Sequence, residues 1–527
     1  MWGSIKNAVP AILTGVLLSF CFPRFHLSPL AFVALVPLLW RARTLSPLEA
    51  ALHFFVAGFV FHVLLLQWLL ANIMWAGGWA VLGQQLLCIV LALFWALAGG
   101  LWRLLNERRP AIGGPWTLAA FWIAIEHAQS TVFTGFGWSA LGYSQGNNPY
   151  VLQWGAIGTV AIISFLIVLV NGLLANAIGQ DRRAAISFVS AIVLLAATHG
   201  VGYLLLKPPQ ELVDPMRVGV LQSNFSLEMK WDREYRFETL RNASEKSIAL
   251  ARTADIDLMV WPEALILADL NSPEVDALLQ RTVREGAFSL FEGAGILDNT
   301  RDYNSAILID ETGNRAGRYD KIHLAPFGEY VPLSEYLPFV NSLVPTIGNI
   351  TPGTDVRILP VDGHNLGPLI CFEMLFPPMS NRLRRENADF LTVITNLAWF
   401  GRSTAIPQEL EISRMRAVET RLPLIHAANT GISGVFDPYG RFRPVELLAE
   451  DGPNLYPVRR DLPLDALVMA RLVGAFDLAP KAPQPLIEVH RWLPWGIYSV
   501  AAALLAAGLL LPQSAPPPSA KKRPRRG

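Results

Sequence analysis

Three reactive side chains of different types, Glu263, Lys321 and Cys371, each lie close to a short apolar run in the second half of the chain. A cysteine attacks a carbonyl carbon as its thiolate, and a resting pKa of about 8.5 leaves only a few per cent of thiols ionised. A carboxylate can take the thiol proton, and a fixed ammonium can stabilise both the thiolate and the oxyanion. The three types together are sufficient for acyl transfer without a cofactor, and no cluster has the spacing of zinc ligands.

Each of these residues, taken singly, has a commoner structural role. A Glu after Pro is often an exposed turn residue, a lone Lys is usually a solvated surface charge, and a Cys in an apolar strand is usually inert packing. Cys21 and Cys88 fall in apolar runs and fit that packing role, whereas Cys371 lies in a soluble stretch. Three distant cysteines form neither a disulfide framework nor a metal site. Only the combination of types therefore indicates chemistry.

The elements that position these residues lie between residues 207 and 491, where apolar runs alternate with charged segments. The β-rich runs are Val218–Gln222, Leu258–Trp261, Ser305–Ile309, Pro368–Phe372, Phe390–Thr395 and Pro423–Ala427. The segments of helical character are Arg233–Thr253, Pro273–Glu285 and Gln408–Arg421. Apolar runs without strict alternation are typical of strands covered on both faces. We therefore predict one large α/β domain with helices outside buried sheets.

Charged residues are absent over long intervals of the remaining chain. Only 16% of the 527 residues are charged and 52% are hydrophobic, whereas a soluble protein averages roughly 25% charged residues. We predict a transmembrane domain of seven spans at residues 1–206, an eighth span at 492–511 and a basic tail at 512–527. The uncharged stretch from Ala50 to Trp102 is too long to cross a ~30 Å hydrocarbon core once, so we expect it to fold back at Trp75–Trp79.

The basic residues of the predicted loops fall on one side of the membrane. The basic loops begin at Arg41, Arg103 and Arg182, and the tail segment Lys521-Lys-Arg-Pro-Arg-Arg526 falls on the same side. The positive-inside rule then puts both termini in the cytoplasm and residues 207–491 outside it. The net charge of +1 argues against a broad nucleic-acid surface.

The order of Glu263, Lys321 and Cys371 resembles that of the carbon–nitrogen hydrolase (nitrilase) superfamily, whose members are α-β-β-α sandwiches with a Glu-Lys-Cys triad. With spans before and after this domain, nearly the whole chain resembles the apolipoprotein N-acyltransferase family of Gram-negative inner membranes. The matching segments are Phe32-Val-Ala-Leu-Val-Pro-Leu-Leu39, Gly135-Phe-Gly-Trp138, Gly142-Tyr-Ser-Gln145, Lys230-Trp-Asp232, Trp261-Pro-Glu263, His323-Leu-Ala-Pro-Phe-Gly-Glu329, Ile370-Cys-Phe-Glu373, Ala398-Trp-Phe-Gly401, Arg414-Met-Arg-Ala-Val-Glu419 and Asn429-Thr-Gly-Ile-Ser433.

The resemblance implies a two-step acyl transfer in a multi-pass protein of the bacterial inner (cytoplasmic) membrane, with a periplasmic catalytic domain. Cys371, deprotonated by Glu263, would take an acyl group from a phospholipid as a thioester. The free α-amine of the N-terminal diacylglyceryl-cysteine of an apolipoprotein would then accept it, which completes lipoprotein maturation. The implied partners are the phospholipid, the diacylated apolipoprotein and the lipid bilayer, and we expect a monomer that needs no metal or other cofactor.

The resemblance also implies roles for residues around the triad. Lys321 and the backbone N–H of Phe372 would hold the oxyanion, with Glu329 and Glu373 in support. Aromatic residues that would contact the lipid substrates, or serve as plain packing, are Trp231, Trp399 and Phe400.

Three positions depart from the family pattern. Leu397 replaces a usual Asp, Glu409 replaces a common His, and His426 replaces a common Arg. Because the triad contexts are intact, we expect these departures to bear on substrate details and rate rather than on reaction type.

Two alternatives remain open. A membrane-tethered amidase or nitrilase-type hydrolase would use the same triad, and water would hydrolyse its thioester. A non-enzymatic transporter or scaffold would use the outer domain for binding, but the spans have almost no ionisable residues to line a pathway. Glu126 ends an apolar run, and we interpret it as reaching the membrane interface.

Overall fold

The computed structural model describes residues 2–510 apart from 74–76, 180, 210–211, 213–214, 226–232, 267–271, 299–300, 332–349, 446, 452–453, 460–466 and 469. Trp231, the basic tail at 512–527 and part of the turn expected at Trp75–Trp79 lie outside the described residues. The predictions for these segments stay predictions.

The first part of the chain folds into apolar helices joined by short connections. They are α1 (Trp2–Cys21), α2 (Val36–Ala42), α3 (Pro47–Leu65), α4 (Trp79–Arg108), α5 (Pro115–Thr131), α6 (Gly155–Ala177) and α7 (Arg182–Leu205). Helix α3 begins with a capping box. Ser46 accepts a hydrogen bond from the backbone of Glu49, whose side chain reaches back to the Ser46 backbone, before α3.

Five helical segments in the described residues are long and apolar enough to cross a membrane. They are Pro47–Leu65, Trp79–Arg108, Val151–Ala177, Arg182–Leu205 and Ile487–Leu510. Ala8–Cys21 and Ser28–Ala42 are shorter apolar helices, and α5 has 17 residues. Each of the eight predicted spans overlaps one of these helices, but the number that crosses the bilayer stays a prediction.

The second part of the chain contains two six-stranded sheets. The first has the order β14-β1-β2-β3-β4-β5 and the second β11-β10-β9-β8-β7-β6, with β12-β13 as a separate hairpin. The strands are β1 (Arg217–Gln222), β2 (Leu258–Val260), β3 (Ser289–Asp298), β4 (Arg301–Ile309), β5 (Arg315–Asp320), β6 (Leu359–Val361), β7 (His364–Ile370), β8 (Phe390–Thr395), β9 (Leu424–Ala428), β10 (Gly434–Phe436), β11 (Phe442–Pro444), β12 (Leu447–Asp451), β13 (Asn454–Arg459) and β14 (Leu472–Asp477). The centre of each sheet is parallel, β1-β2-β3 in one and β7-β8-β9 in the other.

The two sheets face each other across one apolar layer and carry helices outside. Side chains of β1, β2 and β4 meet side chains of β7, β8 and β9 in this layer. The helices are α8 (Arg233–Ala254), α9 (Pro273–Gly286), α10 (Pro377–Arg385), α11 (Ala405–Thr420) and, at the end of the described chain, α12 (Ile487–Leu510). Helices α8 and α9 cover the first sheet, and α10 and α11 cover the second. The predicted α-β-β-α sandwich is therefore confirmed.

Each of the six predicted β-rich runs overlaps an observed strand, but two of them extend beyond the C-terminal end of that strand. Strand β7 ends at Ile370 and β2 at Val260, so Cys371, Phe372 and Trp261 lie beyond the ladders. Eight strands among the described residues were not predicted, namely β3, β5, β6 and β10–β14. Of these, β3 and β5 carry exposed or charged residues, and apolar runs do not mark such strands.

Helix α11 joins the sandwich to the membrane helices. The core that covers the second sheet continues without a break into the helices before residue 206. Every α11 residue from Gln408 to Ser413 is buried although four of them are polar or charged. A buried polar group is costly unless it is paired, so this helix has to meet polar partners on both sides.

Candidate active site

Cys371 lies directly after parallel strand β7. Its φ is +50°, a left-handed conformation that costs a non-glycine residue about 1–2 kcal/mol. The chain turns here into a short 3₁₀ segment, Cys371–Leu375. The side chain is partly exposed and packs at the rim of the layer between the sheets. Such strain collects at functional sites, because the surrounding structure has to hold it in place.

Lys321 lies between two carboxylates just after β5 and is 1% exposed. Its Nζ is 3.4 Å from Glu263 Oε1 and 2.9 Å from Glu329 Oε2. The amide nitrogen of Asn304, on β4, donates to both carboxylates, at 2.8 Å to Glu263 and 2.6 Å to Glu329. No pattern in the sequence indicated Asn304, because its role depends on the pairing of β4 with β5.

The charges in this group support one another. Burial alone would lower the pKa of Lys321, but the charges of Glu329 and Glu263 raise it well above its ordinary value. Burial would raise the pKa of Glu329, but Lys321 and the backbone N–H of Ala325 hold it below the ordinary value. Lys321 is therefore a fixed ammonium at neutral pH.

Glu373 makes hydrogen bonds both to the segment that carries Lys321 and to the segment that carries Cys371. Its Oε1 accepts hydrogen bonds from the hydroxyl of Tyr319 at 2.8 Å and from the backbone N–H groups of Ile322 at 2.7 Å and His323 at 3.2 Å. Its Oε2 accepts from the N–H of Ile370 at 2.8 Å. Burial raises the pKa of Glu373 to about 7. This carboxyl group fixes the backbone on either side of the site and acts on the nucleophile only through it.

The thiol of Cys371 is protonated at rest. Burial raises its pKa well above the ordinary value, the charge of Glu263 raises it further, and Lys321 lowers it. Since both charges act on the thiol, the structure brings Glu263, Lys321 and Cys371 into one site. A protonated thiol needs a base before it can attack a carbonyl carbon.

Glu409 is a fourth carboxyl group beside the thiol, and its position there was not predicted from the sequence. It is 1% exposed on α11 and accepts a hydrogen bond from the hydroxyl of Thr395 at 2.8 Å. Thr395 also hydrogen bonds to Cys371, so a chain of contacts links Glu409 to the thiol. Burial raises the pKa of Glu409 to about 8, and the charge of Glu263 contributes. In the sequence, the indication that Glu409 is unusual was that it replaces the His common in the family.

The residues at the other two departures are both buried. Leu397 is 2% exposed and belongs to the core of the second sheet. His426 is 1% exposed on β9, where Nδ1 contacts the carbonyl oxygen of Ile432 at 3.0 Å. Neither side chain is among the groups that act on the pKa of Cys371.

Phe400 and Trp399 follow β8 in the 3₁₀ segment Leu397–Phe400 and are partly exposed. The Phe400 ring lies 4.7 Å from the ring of Trp68, which lies 4.8 Å from Trp138. Gln408 of α11 accepts hydrogen bonds from the indole N–H groups of Trp68 at 3.1 Å and Trp138 at 2.7 Å. The predicted contact residue Phe400 therefore belongs to an aromatic cluster between the sandwich and the membrane helices. Trp68 and Trp138 were missed because distant segments bring them together.

Comparisons with known proteins agree over both parts of the chain. A family model described as the apolipoprotein N-acyltransferase N-terminal domain matches residues 14–173, and one described as carbon-nitrogen hydrolase matches residues 217–444. Among solved structures, an amidase from Nesterenkonia sp. is 20% identical and has a TM-score of 0.37, covering 53% of this chain and 97% of its own.

Curated relatives extend along most of the chain. The apolipoprotein N-acyltransferase of Geobacter metallireducens is 35% identical over 461 residues, covering 85% of this chain and 88% of the relative. That of Brucella melitensis is 32% identical over 472 residues, covering 83% and 86%. With its carbon–nitrogen hydrolase sandwich and its apolar helices, the chain belongs to the apolipoprotein N-acyltransferase family and is an acyltransferase.

Proposed function

We propose that this protein transfers an acyl group from a phospholipid, through a thioester on Cys371, to the N-terminal α-amine of a diacylglyceryl-cysteine apolipoprotein. The observation that carries the proposal is the buried Lys321 ammonium between Glu263 and Glu329, whose charge acts on the thiol at the end of β7. We further propose that residues 1–206 and 492–511 anchor a periplasmic domain of residues 207–491, with both termini cytoplasmic, and that the protein acts as a monomer.

The first half-reaction acylates the enzyme. Glu263 takes the proton of Cys371, and the thiolate attacks the sn-1 ester carbonyl of the phospholipid. Lys321 Nζ and the backbone N–H of Phe372 stabilise the oxyanion. The ester C–O bond then breaks, and Glu263 returns the proton to the departing lysophospholipid. The ion pair of Glu329 with Lys321 and the hydrogen bonds from Asn304 to Glu263 and Glu329 keep these side chains in place. Glu373 holds the backbone around them through its own hydrogen bonds.

The second half-reaction deacylates the enzyme. The α-amine attacks the thioester carbonyl, Lys321 and Phe372 again stabilise the oxyanion, and the C–S bond breaks to give an amide. The proton lost by the amine passes through Glu263 to the Cys371 thiolate, so the enzyme returns to its resting state. No metal or other cofactor is needed for this balance.

The membrane contact supports lipid substrates. Drawing an acyl chain into water costs about 0.8 kcal/mol per CH₂ group, so a site for two lipids has to lie at the bilayer. The cluster of Phe400, Trp68 and Trp138 lies where the sandwich meets the membrane helices. We propose that Phe400, Trp399 and Trp231 contact the acyl chains.

A burst experiment tests the proposal against the amidase alternative. Purified enzyme given phospholipid alone should release about one lysophospholipid per site and then stop, because the thioester awaits an amine. Adding a peptide with an N-terminal diacylglyceryl-cysteine should restart release and yield the N-acylated peptide. An otherwise identical peptide with an acetylated α-amine is the matched control and should not restart it. Continuous lysophospholipid release without peptide would contradict the proposal and favour hydrolysis.

A further inference from the structure

A cavity of about 250 Å³ opens where α10 of the sandwich meets the membrane helices α5, α6 and α12. Its apolar walls include Ile123, Leu375, Phe376, Leu493 and Ile497. Neither Cys371 nor Lys321 nor Glu263 lines it. The cavity, which we call the α5–α12 crevice, is therefore separate from the proposed acyl-transfer site.

Three buried polar side chains of the crevice each have one atom without a hydrogen-bond partner in the described residues. Gln129 is 5%, Asn381 2% and His490 5% exposed. Within the described residues, no hydrogen-bond partner reaches Gln129 Oε1, Asn381 Oδ1 or His490 Nδ1. A buried acceptor without a donor costs free energy, and three around one cavity are the polar lining that a ligand with hydrogen-bond donors would satisfy.

Two arginines give the crevice a positive side. Arg385, the last residue of α10, and Arg491, near the start of α12, both line it. In the part of the chain described here, Arg385 Nη1 is buried without a partner. Glu488 is the carboxylate whose charge acts most strongly on the pKa of Arg385. Arg385 and Arg491 together therefore favour an anionic group.

The crevice is also lined by a carboxylate, Glu126, that already accepts hydrogen bonds from within the protein. Glu126 Oε1 accepts hydrogen bonds from the indole N–H of Trp122 at 2.8 Å and from the backbone N–H of Leu141 at 2.9 Å. Glu126 thus makes internal contacts, and its interpretation as a residue that reaches the membrane interface stays a prediction. An anion in the crevice would lie against the arginines and away from Glu126.

The aromatic residues of α12 indicate the depth of the crevice in the bilayer. Trp492 and Trp495 are 63% and 69% exposed, and they flank Leu493 and Pro494 of the crevice wall. Exposed tryptophans on spanning helices concentrate at the level of the lipid headgroups. The arginine side of the crevice therefore lies where phosphate groups of the bilayer are available.

The wall is irregular where the ligand would lie. Thr159 has a φ of +59° and interrupts α6, and Pro494 lies inside α12. A β-branched residue rarely adopts positive φ, and a proline removes one hydrogen bond from a helix. Both irregularities occur at crevice-lining residues.

We propose that the α5–α12 crevice binds the headgroup of one phospholipid that is not the acyl donor. Its phosphodiester lies between Arg385 and Arg491, and its hydroxyl or ammonium group donates to Gln129, Asn381 and His490. Its acyl chains lie along the apolar faces of α5 and α12. This lipid joins the last membrane helix to the catalytic domain.

Photo-crosslinking tests this proposal on the full chain. The protein is reconstituted in bilayer nanodiscs with a trace of phospholipid that carries a diazirine next to its headgroup, and labelled peptides are mapped by mass spectrometry. We expect labelled peptides from α5, α10 and α12. The double variant Arg385→Gln/Arg491→Gln should lower that label about thirtyfold, because each arginine near the bilayer surface contributes about a factor of five to the binding of an anionic group.

Arg382→Gln is the matched control, because Arg382 lies on the same helix, pairs with Asp355 and Glu386 and does not line the crevice. It should keep the wild-type label. Thr131→Trp places bulk at an exposed residue of the crevice rim without removing a charge, so it should lower the label while the protein stays folded by circular dichroism.

Equal labelling of the double variant and the control would overturn the proposal. Loss of the label when excess inorganic phosphate is added would also overturn it, because the crevice would then be a site for free anions rather than for a lipid. Labelling confined to peptides around Cys371 would place the bound lipid in the acyl-transfer site and would contradict a second site.

Discussion

Two buried ion clusters, one beside the strands of the first sheet and one on α11, differ in how completely their polar atoms are paired. The lysine cluster consists of Lys321, Glu263, Glu329 and Asn304. Among the residues that the structure describes, none of its side-chain polar atoms is buried without a partner. Its hydrogen bonds run between β4, the end of β2 and the segment after β5.

The arginine cluster consists of Arg416, Glu419 and Tyr143. Arg416 and Glu419 are fully buried on α11 and lie 3.0 Å apart. Arg416 also donates to the Tyr143 hydroxyl at 3.0 Å, and Glu419 accepts from the backbone N–H of Val160 at 2.7 Å. In the described part of the chain, Arg416 Nε and Nη1 and Glu419 Oε2 have no hydrogen-bond partner.

The difference shows that the same charge types serve two purposes. A fully paired network holds its charges in fixed positions, which a reaction requires. The arginine cluster leaves atoms unpaired, but it reaches the interruption of α6 beside Thr159 and the segment that carries Tyr143. Its contacts therefore join the sandwich to the membrane helices. A junction between two surfaces tolerates polar atoms without hydrogen-bond partners, because it does not have to hold a charge in one fixed position for a reaction.

The largest effect is expected when the lysine cluster is broken. Lys321→Met should lower the rate of lysophospholipid release at least about a thousandfold, because the oxyanion loses its charged partner. It should also lower the free energy of unfolding by about 3–5 kcal/mol, because two carboxylates are left buried without their cation. Burst kinetics and thermal unfolding measure the two effects.

Two cysteine variants are the controls for this measurement. Cys371→Ala should abolish the burst without the loss of stability, and Cys21→Ala should keep both at wild-type values. A wild-type rate of lysophospholipid release from Lys321→Met would contradict the assignment of Lys321 to the reaction.

An intermediate effect is expected when the arginine cluster is broken. Arg416→Met should lower the free energy of unfolding by about 3 kcal/mol, because Glu419 and the Tyr143 hydroxyl lose a buried partner. The burst amplitude per folded molecule should stay within about tenfold of the wild type, because no atom of this cluster belongs to the proposed reaction. A thousandfold loss of the burst in folded Arg416→Met would erase the distinction between the clusters.

The smallest effect is a difference in the pH dependence of stability. Burial raises the pKa of Glu409 from 4.5 to about 8 and that of Glu419 from 4.5 to about 7. Each folded carboxyl group keeps its proton above the pH at which the unfolded group loses it. Stability therefore falls as the pH rises through this window, by at most about 1.4 kcal/mol per pH unit for each group.

Replacing either glutamate by glutamine removes the contribution of that carboxyl group to the fall of stability with rising pH. Glu409→Gln should flatten the decline of the unfolding midpoint up to about pH 8, whereas Glu419→Gln should flatten it only to about pH 7. Between these two values, Glu419→Gln should decline in parallel with the wild type. The measurement is thermal unfolding at fixed ionic strength. Parallel curves for all three proteins would show that neither carboxyl group is held neutral by burial.

Much of the fold could be predicted from the sequence because hydrophobicity is local. Strand β8 (Phe390–Thr395) matches its predicted run residue for residue, and α8 and α9 differ from their predicted ends by one residue each. Apolar runs, charged helical segments and uncharged stretches each reflect the surroundings of consecutive residues. Strands β3 and β5 escaped this pattern because their exposed residues interrupt it.

The three candidate catalytic residues Glu263, Lys321 and Cys371 could likewise be selected from the sequence, because the chemistry of acyl transfer limits which side-chain types can act as base, oxyanion partner and nucleophile. The left-handed turn at Cys371 was not readable, since it depends on how β7 ends against its neighbours. Asn304 and Glu409 gained their positions only when β4 paired with β5 and when α11 packed on the second sheet.

The sequence by itself therefore determined the elements and the reactive side chains, both of which depend on residues close together in the chain. The tertiary structure alone decided the partners: Asn304 for the two carboxylates, Thr395 between Glu409 and the thiol, and Arg385 with Arg491 at the α5–α12 crevice. These partners are far apart in sequence, and the free energy of a buried charge depends on which groups surround it in space. That dependence on spatial neighbours is the physical reason why a linear pattern cannot specify them.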